Sequence, residues 1–182
     1  AVNTALEAID RIRDTAASHE RIFIVEVMGR EHGFLALEIG LTGGAEVILL
    51  PELKDKISVP AICTKLKQGM KRGKNSSIIV MAEGVGMSEK IARKIEKATG
   101  IETRYTVLGY IQRGGRPTAM SRYLGLSFGY MASSALLKLK KGRSVMAGLL
   151  GNRYVLHDMK DVIGKERKID VAAYKMNDVF SI

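Results

Sequence analysis

IFIVEVM (22–28) decides the architecture. Only Glu26 interrupts it, and β-branched residues dominate, so it reads as a strand that is apolar on both faces. The pattern returns in AEVILLP (45–51), stopped by Pro51, and in SIIVMAE (77–83). Residues 103–109 and 144–150 read as a fourth and a fifth strand. Helices are expected between them: 4–17 with Leu6, Ile9 and Ile12 at helical spacing, 31–42 ending near Gly43 and Gly44, 60–71 before Gly73, and about 118–140. The segment 88–100 reads as a helix with Ser88 as cap, Ile91 and Ile95 inward and Gly100 as stop. Strands buried on both faces and alternating with helices imply an α/β, doubly wound, mostly parallel sheet with helices on both faces.

Composition sets the outer bounds. The 182 residues are 46% hydrophobic and 26% charged, an ordinary globular mixture. No apolar run approaches the roughly 18 residues of a membrane span. The opening AVNTALEAIDRIRD is charged and is not expected to be a signal peptide. A single cysteine, Cys63, leaves no internal disulfide framework, and it falls on the apolar side of a helix, as a core residue does. His19, His32 and His157 are too scattered to suggest a metal centre, and His19 reads as a loop residue. The 29 Lys and Arg against 19 acids give a net charge of +10, which favours anionic partners. Solvated helix exteriors account for most of these lysines. No GxxxxGK[ST], GxGxxG or HExxH run is present, and without Trp a stacking platform for nucleic acid is unsupported.

Ligands of such sheets bind outside the carboxyl ends of the strands. Met28-Gly29-Arg30, Pro51-Glu52, Glu83-Gly84 and Gly109-Tyr110 leading to Arg113-Gly114-Gly115 all fall there. Arginine suits phosphate through its planar, always charged fork, and the start of the helix after Arg30 is expected to add positive potential. A tight turn with an exposed arginine explains Met28-Gly29-Arg30 equally well. Gln112-Arg113-Gly114-Gly115 reads as a turn whose amides face an anion, or as a linker. Glu83 either accepts a hydrogen bond from a sugar hydroxyl or pairs with a nearby cation, and the ion pair is the plainer reading. Lys71-Arg72-Gly73-Lys74 complements a helix end by default, and Glu46 by itself is an exposed carboxylate. Arg21 and Arg104 begin their strands. A strand of about seven residues spans roughly 23 Å, so both arginines are out of reach of the opposite edge of their own subunit and within reach of a neighbouring one.

SHERIFIVEVMGREHG, TGGAEVILLPE, AEGVG and ETRYTVLGYIQRGGRPTA together resemble the bacterial 6-phosphofructokinases, in unbroken order to about residue 150 and more loosely beyond. The chain resembles the C-terminal, substrate-binding half of such an enzyme. The family's glycine-rich ATP loops and its catalytic aspartate have no counterpart here. The resemblance implies a fructose 6-phosphate lobe over 1–111, a segment 112–162 completing a nucleotide lobe, and a tail 163–182 returning to the first. It implies a fructose 6-phosphate site built from Met28, Gly29, Arg30, Glu83, Tyr110, Ile111, Gln112 and Arg113, with Arg21 and Arg104 supplied by the neighbouring subunit. Arg30 would lie near the transferred phosphoryl group.

An effector site for a nucleotide such as ADP would comprise Arg13, Gly44, Ala45, Glu46, Arg72, Lys74, Asn75 and Ser76, with Glu46 meeting the effector's Mg²⁺. The implied activity is Mg²⁺- and ATP-dependent phosphorylation of fructose 6-phosphate at its 1-hydroxyl, a glycolytic step, in a cytoplasmic homotetramer. The chain alone is then expected to be inactive, with 112–162 exposing apolar surface. Tyr110 replaces a usual histidine, Arg116 a usual serine, Ser121 a common aspartate, and Asn75-Ser76 a typically basic pair. A pyrophosphate donor, a non-catalytic sugar-phosphate-binding subunit and, remotely, a basic nucleic-acid-binding module are the alternatives.

Overall fold

The structure, a computed structural model, describes residues 1–16 and 20–180. His19 lies outside them. In chain order the first unit contains α1 (Val2–Ala16), β1 (Arg21–Val27), α2 (Phe34–Thr42), β2 (Val47–Leu49), α3 (Val59–Lys71), β3 (Ser76–Ala82), α4 (Ser88–Thr99) and β4 (Thr103–Val107). The second unit, Arg116–Lys168, holds α5 (Ala119–Leu136), β5 (Val145–Leu150), β6 (Arg153–Asp158) and the single turn α6 (Met159–Val162). The chain then returns to the first unit as α7 (Val171–Phe180).

The sheet of the first unit has the order β2-β3-β1-β4, with all three pairings parallel. Alternation along the strands divides the core in two. Val25, Val27, Ile78 and Val80 face one side with Ala5 and Ile9 of α1 and Ala36 and Ile39 of α2. Ile22, Ile24, Ile79 and Met81 face the other with Ile62, Cys63 and Leu66 of α3 and Ile91 and Ile95 of α4. The doubly wound architecture is thus as the apolar strands imply. Burial pushes the Cys63 thiol up, although Lys67 opposes it. Among the described residues no helix is long and apolar enough to cross a membrane.

Chain winding fixes where the fold opens. After β1 the chain leaves along the α1–α2 face, whereas after β3 it leaves along the α3–α4 face. β1 and β3 are neighbours, so a crevice opens between them at their carboxyl ends, the switch point where such sheets take ligands.

Several local expectations are corrected. The cap of α4 is Met87, in the left-handed region at φ 59°, and Ser88 is already helical and buried. Residues 31–33 form a turn and α2 starts at Phe34, which leaves the segment after Arg30 free to wrap the strand end. The long helix stops at Leu136, before the lysine-rich turn 138–141. β4 is an edge strand, and its Arg104, Tyr105, Thr106 and Val107 are exposed, so it is not apolar on both faces. The strand at 145–150 belongs to no parallel sheet. It pairs antiparallel with β6, Leu150 opposite Arg153. The two-residue loop Gly151-Asn152 joins them, with Gly151 at φ +58° as such a tight turn requires.

Candidate functional site

Three turns meet beyond β1, β3 and β4. Met28-Gly29-Arg30 leaves β1, Glu83–Val85 makes a 3-10 turn after β3, and Gly109–Arg113 makes another after β4. Parallel register brings them side by side, with Val27 opposite Ala82 and Glu26 opposite Val107. Hydrogen bonds then tie them together. Met28 N–H donates to Oε1 of Gln112 at 2.8 Å. Gly29 N–H donates to Oε1 of Glu83 at 3.3 Å, and Gly84 N–H donates to Gly29 O at 3.0 Å.

The glycines are required by contact. A Cβ on Gly84 would lie 1.8 Å from Arg30 O, and one on Gly29, at φ +145°, would lie 2.5 Å from His32 O. Arg30 and Arg113 are exposed beside this turn, and Tyr110 is 84% and Ile111 59% exposed. The edge therefore offers two guanidinium groups, a carboxylate and a phenol around a closely packed backbone.

Four predicted residues have partners that the sequence does not announce. Gln112 is buried, 1% exposed, and faces the backbone of Met28 rather than the open edge. Glu83 takes the Gly29 amide, and no cation holds it among the described residues. Arg21 and Arg104 stand at the amino ends of β1 and β4, and both bind Glu102. Arg21 Nε donates to Glu102 Oε2 at 2.6 Å, and Arg104 Nε to Oε1 at 2.6 Å. Hydrogen bonds from Arg21 first, and then Arg104, hold the Glu102 carboxyl below the usual glutamate range. The expected contribution of the α2 terminus is also altered. The cap Gly33 donates its N–H to both oxygens of Glu52, at 2.9 and 3.1 Å, so that carboxylate offsets the helix's positive end. Glu52 also lies 3.7 Å from Nδ1 of His32.

A second cluster forms behind the opposite ends of β2 and β3. Arg13, Gly44, Glu46, Lys74, Asn75, Ser76 and Ile78 line a cavity of about 530 Å³. Arg13 Nη2 donates to the carbonyls of Gly43 and Gly44, each at 2.6 Å. Glu46 is not the exposed carboxylate that its sequence position suggests. It is 7% exposed, its Oε1 is 3.1 Å from Lys74 Nζ, and its Oε2 accepts from Ile78 N at 2.6 Å. Ala45 is buried beneath, and Arg72 folds back onto Gln68 O, so neither lines the cavity. One carboxylate cannot cage a hard cation by itself, and the described residues hold no group of three metal-ligating side chains.

Glu102 and Asn177, whose Nδ2 donates to Glu46 O at 3.2 Å, are the partners that sequence reasoning missed; the sequence places Glu52 at the strand edge, but not its bond to Gly33. Glu102 had a local signal. It lies two residues before Arg104, on the same side of the strand, and next to the start of β1. Asn177 had none.

The phosphofructokinase family model matches residues 1–136. ATP-dependent 6-phosphofructokinases of Bacillus licheniformis and Brevibacillus brevis are 47% and 48% identical over all 182 residues, which is 56% of each relative's length. The chain therefore spans about half the length of the curated relatives it matches. Among solved structures, a Pichia pastoris phosphofructokinase in the T-state superposes with a TM-score of 0.77 at 31% identity, over 88% of this chain and 19% of that one. A pyrophosphate-dependent phosphofructokinase from Marinobacter aquaeolei gives 0.73 at 24% identity, over 94% of this chain and 47% of that one.

Proposed function

The chain belongs to the phosphofructokinase family, and from that premise we propose that it is the substrate-binding part of an ATP-dependent 6-phosphofructokinase. The observation that carries this reading is the meeting of Met28-Gly29-Arg30, Glu83, Tyr110 and Arg113 at one crevice, knitted by the Met28–Gln112 and Gly29–Glu83 bonds. Arg30 and Arg113 suit a sugar phosphate, because a guanidinium fork gives paired hydrogen bonds to phosphate oxygens. Glu83 keeps lone pairs for a sugar hydroxyl after taking the Gly29 amide. Arg21 and Arg104, some 20 Å away along β1, serve the crevice of a neighbouring copy.

The reaction is attack by the 1-hydroxyl oxygen of fructose 6-phosphate on the γ-phosphorus of ATP. The bond from that phosphorus to the β–γ bridging oxygen breaks, and fructose 1,6-bisphosphate and ADP result. Mg²⁺ carried by the nucleotide would supply charge neutralisation. These residues orient the sugar, and Arg30 faces the transferred group, where its charge favours the transition state. The hydroxyl proton passes to a base outside the motifs matched here. ATP is favoured over pyrophosphate because the Bacillus licheniformis and Brevibacillus brevis relatives, at 47% and 48% identity, are ATP-dependent by name. The division into two lobes proposed from the resemblance stays part of this reading, with the compact units 1–115 plus 169–182 and 116–168 as its bounds, as does a nucleotide effector in the Arg13–Glu46–Lys74 cavity.

Titration calorimetry on the 182-residue chain tests the proposal. Fructose 6-phosphate should bind at least about 10- to 100-fold more tightly than fructose, the worth of one or two charge-assisted bonds. Equal affinity for the two sugars would refute it.

A further inference from the structure

Gln112 is out of place among polar residues. It sits between exposed Ile111 and exposed Arg113 on the 3-10 turn after β4, yet it is among the largest fully buried side chains, at 1% exposure. Its Oε1 accepts the Met28 N–H at 2.8 Å, a bond between residues 84 apart in sequence. That N–H needs an acceptor, so the carboxamide has one permitted orientation. Its Nε2 then faces away and finds no acceptor among the described residues. Methionine or leucine would fill the same space without the unpaired Nε2, but would leave the Met28 N–H without its acceptor. A residue that carries this penalty is kept for what its oxygen does.

The oxygen holds a particular place. Met28 opens the turn whose next residue, Gly29, sits at φ +145° and whose third residue is Arg30. The turn is tied to the β3 side by Gly29–Glu83 at 3.3 Å and by Gly84–Gly29 at 3.0 Å. On the β4 side the tie is Gln112, and its bond is the shortest of the three. We propose that Gln112 is a positioning residue, which fixes the Met28–Arg30 turn from beneath so that Gly29 and Arg30 meet the sugar phosphate, without itself touching the ligand. This rests on the substrate reading above.

Two variants and two measurements decide it. In Gln112→Met, the Met28 N–H loses its acceptor, so the chain should be somewhat less stable but should still unfold in one cooperative transition. The Met28 and Gly29 amides should exchange at least about tenfold faster, with Ile24 and Val25 unchanged. The dissociation constant for fructose 6-phosphate should rise about tenfold or more. In Gln112→Glu, burial keeps the carboxyl protonated, and its carbonyl oxygen replaces the lost acceptor. Met28 should then stay protected and the affinity should stay within about threefold of wild type. Wild-type exchange at Met28 in Gln112→Met would overturn the proposal. So would faster exchange with unchanged affinity, faster exchange spread through all of β1, or loss of Met28 protection in Gln112→Glu. Failure of the wild-type chain to bind the sugar phosphate would instead sink the substrate reading, and the exchange data would still decide whether Gln112 holds the turn.

Discussion

Gly84 illustrates how little room the crevice leaves. A methyl group there would meet Arg30 O at 1.8 Å and Gly29 O at 2.9 Å, both backbone atoms that cannot rotate aside. Gly84→Ala should therefore push the Arg30 turn out of place. Urea unfolding should show a loss of about 1–3 kcal/mol, and calorimetry a loss of fructose 6-phosphate binding. Glu102 makes a second prediction, in pH. Arg21 and Arg104 lower its pKa in the folded chain, so its contribution to stability is complete above the ordinary glutamate value of about 4.3 and is lost as pH falls through the lowered value. The stability gap between wild type and Glu102→Gln, read from thermal midpoints, should be constant above pH 5 and should shrink as the pH falls towards 3. A gap that widens on acidification would contradict the assignment. At this scale the sequence reveals residues that directly follow an apolar run, such as Met28, Arg30, Glu83 and Tyr110. It hides partners that only folding brings together. The Gly33–Glu52, Met28–Gln112 and Glu46–Asn177 bonds join residues 19, 84 and 131 apart, and no local pattern announces them.

Elements were legible where burial is two-sided. Ile24 on β1 and Ile79 on β3 are fully buried between the two helical layers, and their strands could be read from composition alone. Ile24→Ala should cost about 2–5 kcal/mol in urea unfolding, because the central strand leaves no room to collapse around the cavity. One-sided or exposed elements were harder to place. β5 carries strand-like residues, but only the Gly151-Asn152 turn shows that it pairs back on β6. α7 is a further case. It lies beside the edge strand β2, where Tyr174 OH donates to Ile48 O at 3.4 Å and Asn177 reaches Glu46 O. Burial, with Asp178 nearby, pushes the Tyr174 hydroxyl up, so this contact stays uncharged through neutral pH. Asn177→Ala should leave that carbonyl buried without its side-chain donor. Unfolding free energy should fall by about 1–3 kcal/mol, with the helix content of α1–α4 unchanged by circular dichroism.

For the whole molecule, the net charge of +10 and the apolar surface of the second unit point in different directions. Met120, Tyr123, Leu126, Tyr130, Leu136 and Leu137 on and just beyond α5 are all more than half exposed. Like charge favours a separate chain, but a patch of this kind favours association. Sedimentation velocity should show species larger than 19.9 kDa that grow with protein concentration. On the proposed reading, anion-gripping side chains at both edges of the sheet, on two copies, close on one phosphorylated hexose. A residue-resolved NMR titration with fructose 6-phosphate tests it most directly. Met28, Gly29, Arg30, Glu83 and Arg113 should shift together with Arg21 and Arg104, along a single binding curve. Shifts confined to one edge, or absent from both, would contradict the account.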